Sequence, residues 1–532
     1  MDGFVAIGSG AVAAVLVVHD EKDVGAGGLA GLALQESRGK YRFEGGAAGL
    51  LGHRNEDIPF FHYNWRFAVF EYMLLSSSVY FFFLTGIFFL YWPLSRWRAA
   101  GLGVLLFANY FFYTKWDLFY LALIPLASSV DFTIGHFLGK AQGAAWRKLL
   151  VTLSIVVNLG ILAVFKYAGF FLEIAGHPAG KWEWTFPLGI SFYCFQALTY
   201  TIDIYRRDAK PTASYLAHLT AVSFFPTTLA GPITRVADLV KQLEKPGREL
   251  LAADGSRGLF LIGMGLMKKL LIADYLGENL VNRVFDFPGL YSGAEVLTGV
   301  YAYALQLYFD FSGYSDIAIG SAALLGLKLP MNFNQPYLAA NINDFWRRWH
   351  ISLSNWLRDY LFFSLPGKRN AVMPYLNLVI TMALGGLWHG ASWNFVIWGL
   401  LHGAGQAVSR FWQNKRGKAA AWTPVWWRTF VTVQFVCFCW IYFRAPSIEQ
   451  ANLMVERIAS GSWGVENVSG GMWTVMALAL AGHYAPKTWV EKPRELFVRA
   501  PFYGQAAVLL LLAVAIQYVA ATGAAPFIYT KF

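Results

Sequence analysis

Only 14% of the 532 residues carry charge, against the roughly 25% usual in soluble proteins, and only three are cysteines. So little charge excludes an ordinary soluble globule, and the abundance of apolar residues excludes a disordered chain. Cys194, Cys437 and Cys439 cannot build a disulfide framework. The C-x-C of Cys437 and Cys439 has no second pair or histidine nearby, so no metal centre is expected and the three thiols read as small core or lipid-facing residues. There is no G-x-S-x-G elbow, no H-E-x-x-H and no G-x-x-x-x-G-K-[ST] loop, which leaves a serine hydrolase, a zinc protease and a P-loop ATPase without support. The chain also lacks an internal repeat, which weighs against transporter folds built from related halves.

What is present is apolar and aromatic: 56% of the residues are hydrophobic and 17% aromatic, including 44 Phe, 27 Tyr and 21 Trp. Length alone would suit several soluble domains, but these residues lie in long apolar runs, as in one all-α polytopic membrane body embedded in a lipid bilayer. The formal net charge of +11 is then a matter of topology, with no nucleic acid implied, because Lys and Arg gather in cytoplasmic loops and near anionic lipid.

The first strong apolar run is Met73–Leu94, followed at once by Arg96 and Arg98; further runs are Gly101–Tyr113, Leu118–Leu138, Leu149–Phe171 with a lone Lys166 near one end, and Phe186–Tyr205. Basic clusters recur at every second loop. This predicts that Arg96, Arg147 and Arg206 are cytoplasmic and that the loop Glu173–Trp184 is outside. Later runs are shorter, and FFPTTLAGPITR, Phe224–Arg235, suits a re-entrant segment buried in protein. The expectation is 11 to 13 helices that span or nearly span, plus amphipathic helices on the cytoplasmic face. Met1–Tyr72 is different, being Gly-rich and studded with charge; it reads as an extension, or as translation upstream of a start at Met73, with residues 73–532 as the membrane domain.

Ionisable groups inside apolar runs are expensive and therefore functional candidates. In QLYFDFSGYSDIAIGSA, Asp310 and Asp316 interrupt an aromatic run; they either cap and pair at a helix break around Gly313, with Asp316 starting the next helix, or position a ligand. In NINDFWRRWHISLSNWLRDYLFF, Asn341–Phe363, helical spacing places Trp346, Trp349, Leu353, Trp356, Leu357 and Tyr360 in a stripe. That is an interfacial helix. It serves as a cytoplasmic anchor, or it brings His350 to the mouth of a buried site with Arg347 and Arg348 near an anionic donor. In LGGLWHGASWNFVIWGLLHG, Leu384–Gly403, His389 follows Trp388 between glycines that allow a substrate or a partner backbone to approach. It could bond a neighbouring helix or act as a base, its ordinary pKa of about 6.5 suiting proton abstraction from a hydroxyl. His402, thirteen residues on, is nearly four turns away and a poor immediate partner.

The segments FPLGISFYCFQALTYTIDIYRRD (Phe186–Asp208), FFPTTLAGPITR, QLYFDFSGYSDIAIG, FWRRWHISLSNWLRDYLFFSLPG (Phe345–Gly367) and LGGLWHGASWNFVIWGLLHG resemble the membrane-bound O-acyltransferase superfamily, within it the bacterial branch of alginate O-acetylation and teichoic-acid D-alanyl transfer proteins. The resemblance covers Met73 to about Phe532 and is most specific over Phe186–Gly403. It implies a helical ring around a central tunnel, open to the donor from the cytoplasm and to the acceptor from the other side. It matches His389 to the family's membrane-embedded catalytic histidine and His350 to its second motif histidine, and makes Asp310, Asn341 and Trp388 candidates for lining the tunnel, with Arg347 and Arg348 on the donor side. The function so implied is transfer of an acetyl group, with acetyl-CoA as donor and no bound cofactor or metal, towards an exported polysaccharide. It would work directly or through a periplasmic acetyltransferase or export partner, in a bacterial inner membrane. D-alanyl transfer to an envelope polymer and a non-enzymatic transporter or flippase are the alternatives.

Overall fold

The computed structural model describes residues 73–114, 120–177, 189–245, 249–367, 372–416 and 423–519. The expectations for Met1–Tyr72 lie outside these residues, as do parts of the outer loop Glu173–Trp184 and the start of the Phe186 run. The described chain is helical, with no strand.

Helices α1 (Ser78–Leu94), α2 (Arg98–Thr114) and α3 (Leu123–Lys140) lead to α4 (Ala144–Leu162), which continues through a π-helical turn, Ala163–Tyr167, into α5 (Ala168–Ile174). Together Ala144–Ile174 makes one continuous helix of 31 residues. Among the described residues it is the one helix long and apolar enough by itself to cross a bilayer. Its outer face shows Leu149, Leu153 and Val156 about half exposed, and other bare side chains such as Phe82, Leu126 and Leu511 extend the apolar surface. Such a surface is unstable in water and suits lipid.

Helix α6 (Ile190–Arg206) is the opposite case, buried from Ile190 to Ile204. Around the segment Phe224–Arg235, expected to be re-entrant, the chain forms α7 (Tyr215–Val222), a single turn α8 (Phe225–Thr228) and buried irregular backbone before α9 (Val236–Glu244). Side chains satisfy that backbone: Phe225 N–H donates to Asn109 Oδ1 (2.9 Å), Ile233 N–H to Ser352 Oγ (3.0 Å) and Val236 N–H to Thr199 Oγ1 (3.1 Å). Non-helical chain at this depth is tolerated because protein, not lipid, surrounds it.

After α10 (Ala252–Leu266) come two π-helical pieces interleaved with α11 (Asp274–Leu276) and α12 (Asn282–Asp286), and then α13 (Gly293–Leu324). The break expected near Gly313 is not there: α13 runs for 32 residues without interruption. A capping box starts it, Ser292 Oγ accepting from Glu295 N–H while Glu295 accepts from Ser292 N–H. Gly313 serves a helix crossing instead. A methyl group on Gly265 would lie 2.5 Å from Gly313 O, and one on Gly258 2.8 Å from Gly320 O, so two glycine pairs let α10 and α13 touch along their backbones.

The chain closes with α14 (Ile342–Arg348), α15 (Ile351–Trp356), α16 (Met373–His389), α17 (Trp393–Arg416), α18 (Val425–Arg444), α19 (Ile448–Ala459), α20 (Gly470–Tyr484), α21 (Thr488–Arg499) and α22 (Phe502–Val519). The three cysteines are free and buried, as small core residues.

Candidate functional site

The single amphipathic helix expected over Asn341–Phe363 is broken in two. His350 stands at the break, between α14 and α15, with φ +41° in the left-handed region. A neighbouring segment satisfies the backbone there: Ile351 N–H donates to Asn332 O (2.9 Å), Asn334 N–H donates to Arg348 O (2.9 Å), and Asn332 Oδ1 accepts from the Ser352 hydroxyl (2.6 Å). The tryptophan stripe is real, but it packs inward: Trp346, Trp349, Leu353, Trp356, Leu357 and Tyr360 are all buried. His350 is therefore not at an interfacial mouth. It is completely buried, with Phe311 edge-on at 4.6 Å, Phe192 stacked at 6.4 Å and Trp388 at 6.4 Å. A strained backbone held at a buried histidine is the kind of feature that clusters at functional sites.

His389 is the last residue of α16 and is 4% exposed. Its imidazole sits among aromatic rings, with centroids of Trp388 at 5.0 Å and of Trp398 and Phe443 each at 5.2 Å. His350, His402 and Lys166 all lie within electrostatic range of it. The adjoining glycines admit protein backbone, since Gly386 and Gly399 bring α16 and α17 into main-chain contact beside the imidazole. Trp398 touches His389 on one side and His402, at 4.8 Å, on the other, and His402 Nδ1 accepts from Trp346 Nε1–H at 3.3 Å.

A stack of rings leads away from His389. Trp388 lies 5.1 Å from Phe195, and Phe195 stacks on Trp356 at 3.7 Å with 7° between their planes. Trp356 lines a pocket of about 370 Å³, together with Thr199, Arg235, Asn355, Asp359 and Tyr360. At its rim Arg235 donates to Asp359 (2.7 Å), and Arg206 donates to the Asp359 carbonyl (2.6 Å) while its guanidinium lies over the Tyr360 ring. The arrangement joins a charged, partly open pocket to a buried imidazole through stacked aromatic rings.

The remaining candidates fall elsewhere. Asp310 pairs with Lys269 at 2.7 Å, Lys269 also holds Asp274 at 2.7 Å, and Asp316 pairs with Lys268 at 2.5 Å. These contacts match the pairing expected of the two aspartates, though along an unbroken helix. Asn341 caps α14, its Oδ1 accepting from Asp344 N–H at 2.9 Å. Arg347 and Arg348 both turn towards Asp344, at 3.7 and 2.9 Å, and neither lines the pocket. Trp388 does join the two motif histidines.

Reading the sequence missed Arg235, Asp359 and Phe195, and saw in Lys166 only an isolated charge. Lys166 Nζ donates to Trp388 O (2.6 Å), His389 O (3.1 Å) and Ser191 Oγ (3.2 Å), beside the imidazole. The signal available was the cost of a lysine within an apolar run.

The model of MBOAT, the membrane-bound O-acyltransferase family, matches residues 206–448. The chain is 38% identical over 420 residues to the probable alginate O-acetylase AlgI of Azotobacter vinelandii, covering 76% of this chain and 82% of that protein. It is 34% identical over 395 residues to a peptidoglycan O-acetyltransferase of Helicobacter pylori, covering 69% and 74% of the two chains. A teichoic acid D-alanyltransferase of Bacillus subtilis is 31% identical over 274 residues, covering 48% of this chain and 68% of the relative.

Proposed function

The chain belongs to the membrane-bound O-acyltransferase family and is an O-acyltransferase, and from that premise we propose that it passes an acetyl group from cytoplasmic acetyl-CoA towards an exported polysaccharide, with His389 as general base. The observation that carries this reading is the line from the charged pocket through Trp356, Phe195 and Trp388 to the buried His389.

The pocket suits the donor side. Arg206 belongs to the basic clusters that orient the chain, and its guanidinium bonds the pocket residue Asp359, so the opening shares the face assigned to the cytoplasm. Arg235 and Lys328 line the pocket with Arg206 at its rim, against Asp238 and Asp359, so the opening keeps a small positive excess for an anionic donor. In the reaction, His389 takes the proton of an acceptor hydroxyl as that oxygen attacks the thioester carbonyl. The C–S bond breaks, the acetyl ester forms and the proton passes to the departing thiolate. General-base action of this kind contributes on the order of 100- to 10,000-fold, with positioning adding the rest. A multi-pass inner-membrane body of 11 to 13 spanning or re-entrant helices would let the acyl group cross by reaction, so that no charged carrier enters lipid.

Acetyl is favoured over D-alanyl because the similarity to the two O-acetyl-transferring relatives extends over 69% or more of the chain, whereas that to the D-alanyltransferase extends over 48%. Membership among O-acyltransferases also decides for an enzyme over a transporter. The relatives' names divide between alginate and peptidoglycan, so the acceptor here is an envelope or exported glycan, reached directly or through a periplasmic acetyltransferase. The test is His389→Ala in the native host: polymer O-acetylation should vanish while protein abundance and polymer export continue. Acetylation at the wild-type level would overturn the base assignment.

A further inference from the structure

The last four carbonyls of any α-helix lack partners within the helix and must find them elsewhere. In α16, which ends on His389, every one of them is accounted for. Gly386 O accepts from Gly390 N–H (3.4 Å) and Leu387 O from the Tyr167 hydroxyl (3.0 Å), while Trp388 O (2.6 Å) and His389 O (3.1 Å) both accept from Lys166 Nζ. Three of the four thus depend on two consecutive residues of another helix. Those residues sit in the π-helical turn Ala163–Tyr167 that interrupts the long apolar helix Ala144–Ile174, and wide turns of this kind recur at functional sites.

The geometry points to Lys166 and Tyr167 as positioning residues for His389: a two-residue clamp on the C-terminus of α16 that fixes where the imidazole meets the acceptor hydroxyl. The inference rests on His389 being the base, as proposed above, and adds residues that the motifs do not contain. Its physical basis is threefold. An ammonium at the C-terminus of a helix meets the negative end of the helix dipole, where a cation is stabilised. Lys166 also reaches Ser191 Oγ (3.2 Å), one turn before Phe195 on α6, so the same ammonium ties the end of the base helix to the helix that carries the aromatic stack. Finally, His389 is the terminal residue of its helix and is followed by an extended Gly390, φ −161° and ψ 150°.

A buried lysine within an apolar segment has a bland explanation, which is that it only stabilises the fold. The two roles separate kinetically. A displacement of about 1 Å at a reacting group costs on the order of 100-fold in rate without weakening donor binding. The experiment uses native membrane vesicles carrying the full chain, with radiolabelled acetyl-CoA as donor and label in base-labile polymer ester as readout. Variants are Lys166→Met, Lys166→Arg, Tyr167→Phe and His389→Ala, each normalised to the amount of chain in the membrane.

Positioning predicts that Lys166→Met lowers kcat by about tenfold or more with the donor KM within about twofold, and that Lys166→Arg recovers much of the loss. Tyr167→Phe removes a single hydroxyl, so it reports even if Lys166→Met fails to accumulate; it should lower kcat by about threefold or more, again without a change in KM. A kcat within twofold of wild type in Lys166→Met, or in Tyr167→Phe where the lysine variant is absent from the membrane, overturns the clamp. So does a rise in KM at unchanged kcat, which would make Lys166 a donor-binding group. His389→Ala separates the two ideas. If it is inactive while Lys166→Met keeps a kcat within twofold of wild type, the clamp alone fails; if it is active, the base assignment fails.

Discussion

The rings of Phe195 and Trp356 lie face to face, 3.7 Å between centroids and 7° between planes, and Trp356 Nε1–H also donates to Phe195 O at 2.9 Å. This pair joins α6 to the wall of the pocket, and Phe195 continues the stack to Trp388. An aromatic pair contributes about 0.5–1.5 kcal/mol beyond the area it buries. Trp356→Phe should keep the stack and lose only the hydrogen bond, while Trp356→Ala removes both and opens the pocket towards Trp388. We expect Trp356→Ala to raise the acetyl-CoA KM about tenfold or more and Trp356→Phe to stay within a few-fold of wild type. Equal donor KM in Trp356→Ala and wild type would exclude this pocket from donor binding.

His350 combines complete burial with a left-handed backbone. Among residues other than glycine, asparagine adopts that conformation most readily, whereas alanine does not. His350→Asn should therefore retain more thermal stability in detergent than His350→Ala, by about 1 kcal/mol. Both should lose transfer activity when acetyl-CoA is limiting. An unchanged rate at limiting donor in His350→Asn would remove this histidine from the site and leave it a structural hinge.

How much of this could be read in advance depended on the length scale of the signal. The aromatic stripe from Trp346 to Tyr360 and the apolar flanks of His389 are local periodicities, so both histidines stood out in the sequence. The break at His350 did not, because it is held by Asn332 and Asn334 on an earlier, non-helical stretch of the chain, and helical spacing alone carries no trace of that pairing. Gly313 misled for the related reason that a glycine which breaks a helix and a glycine which lets two helices touch look alike until the partner, Gly265, is known. Arg347 and Arg348 were drawn to an anionic donor by charge alone, whereas their own helix supplies Asp344 one turn away. Lys166 was visible as an anomaly but not as a clamp, since the two carbonyls it holds lie more than 200 residues away in the chain.

The glycine contact between α10 and α13 has a direct consequence. A methyl group added at Gly265 would sit 2.5 Å from Gly313 O and 2.6 Å from Ile317 Cγ1, and the first of these neighbours is backbone that cannot rotate away. Overpacking of this sort costs about 1–3 kcal/mol, and more where backbone must move. Gly265→Ala should lower the melting temperature in detergent and the yield of folded protein. Gly86→Ala is the control, because nothing lies within 4 Å of the added carbon. Equal melting temperatures for the two variants would mean that the helices separate easily at this crossing.

Asp310 poses the sharpest choice between structure and chemistry. It is 1% exposed and 2.7 Å from Lys269, which is shared with Asp274. Removing one partner of a buried ion pair costs about 3–5 kcal/mol, because the other charge is left without compensation. Lys269→Met should therefore destabilise strongly, with two buried aspartates left facing each other's charge. Adding Asp310→Asn to Lys269→Met should recover part of that loss, as the second substitution removes one of the uncompensated charges. If Asp310 only balances Lys269, then Asp310→Asn should change transfer activity no more than its effect on folded amount accounts for. If it lines the tunnel, kcat per folded molecule should fall in Asp310→Asn, and the double variant should be no more active even though it is more stable than Lys269→Met. Melting temperature and acetyl transfer, measured side by side on these three variants, decide between a carboxylate that balances charge and one that meets the substrate.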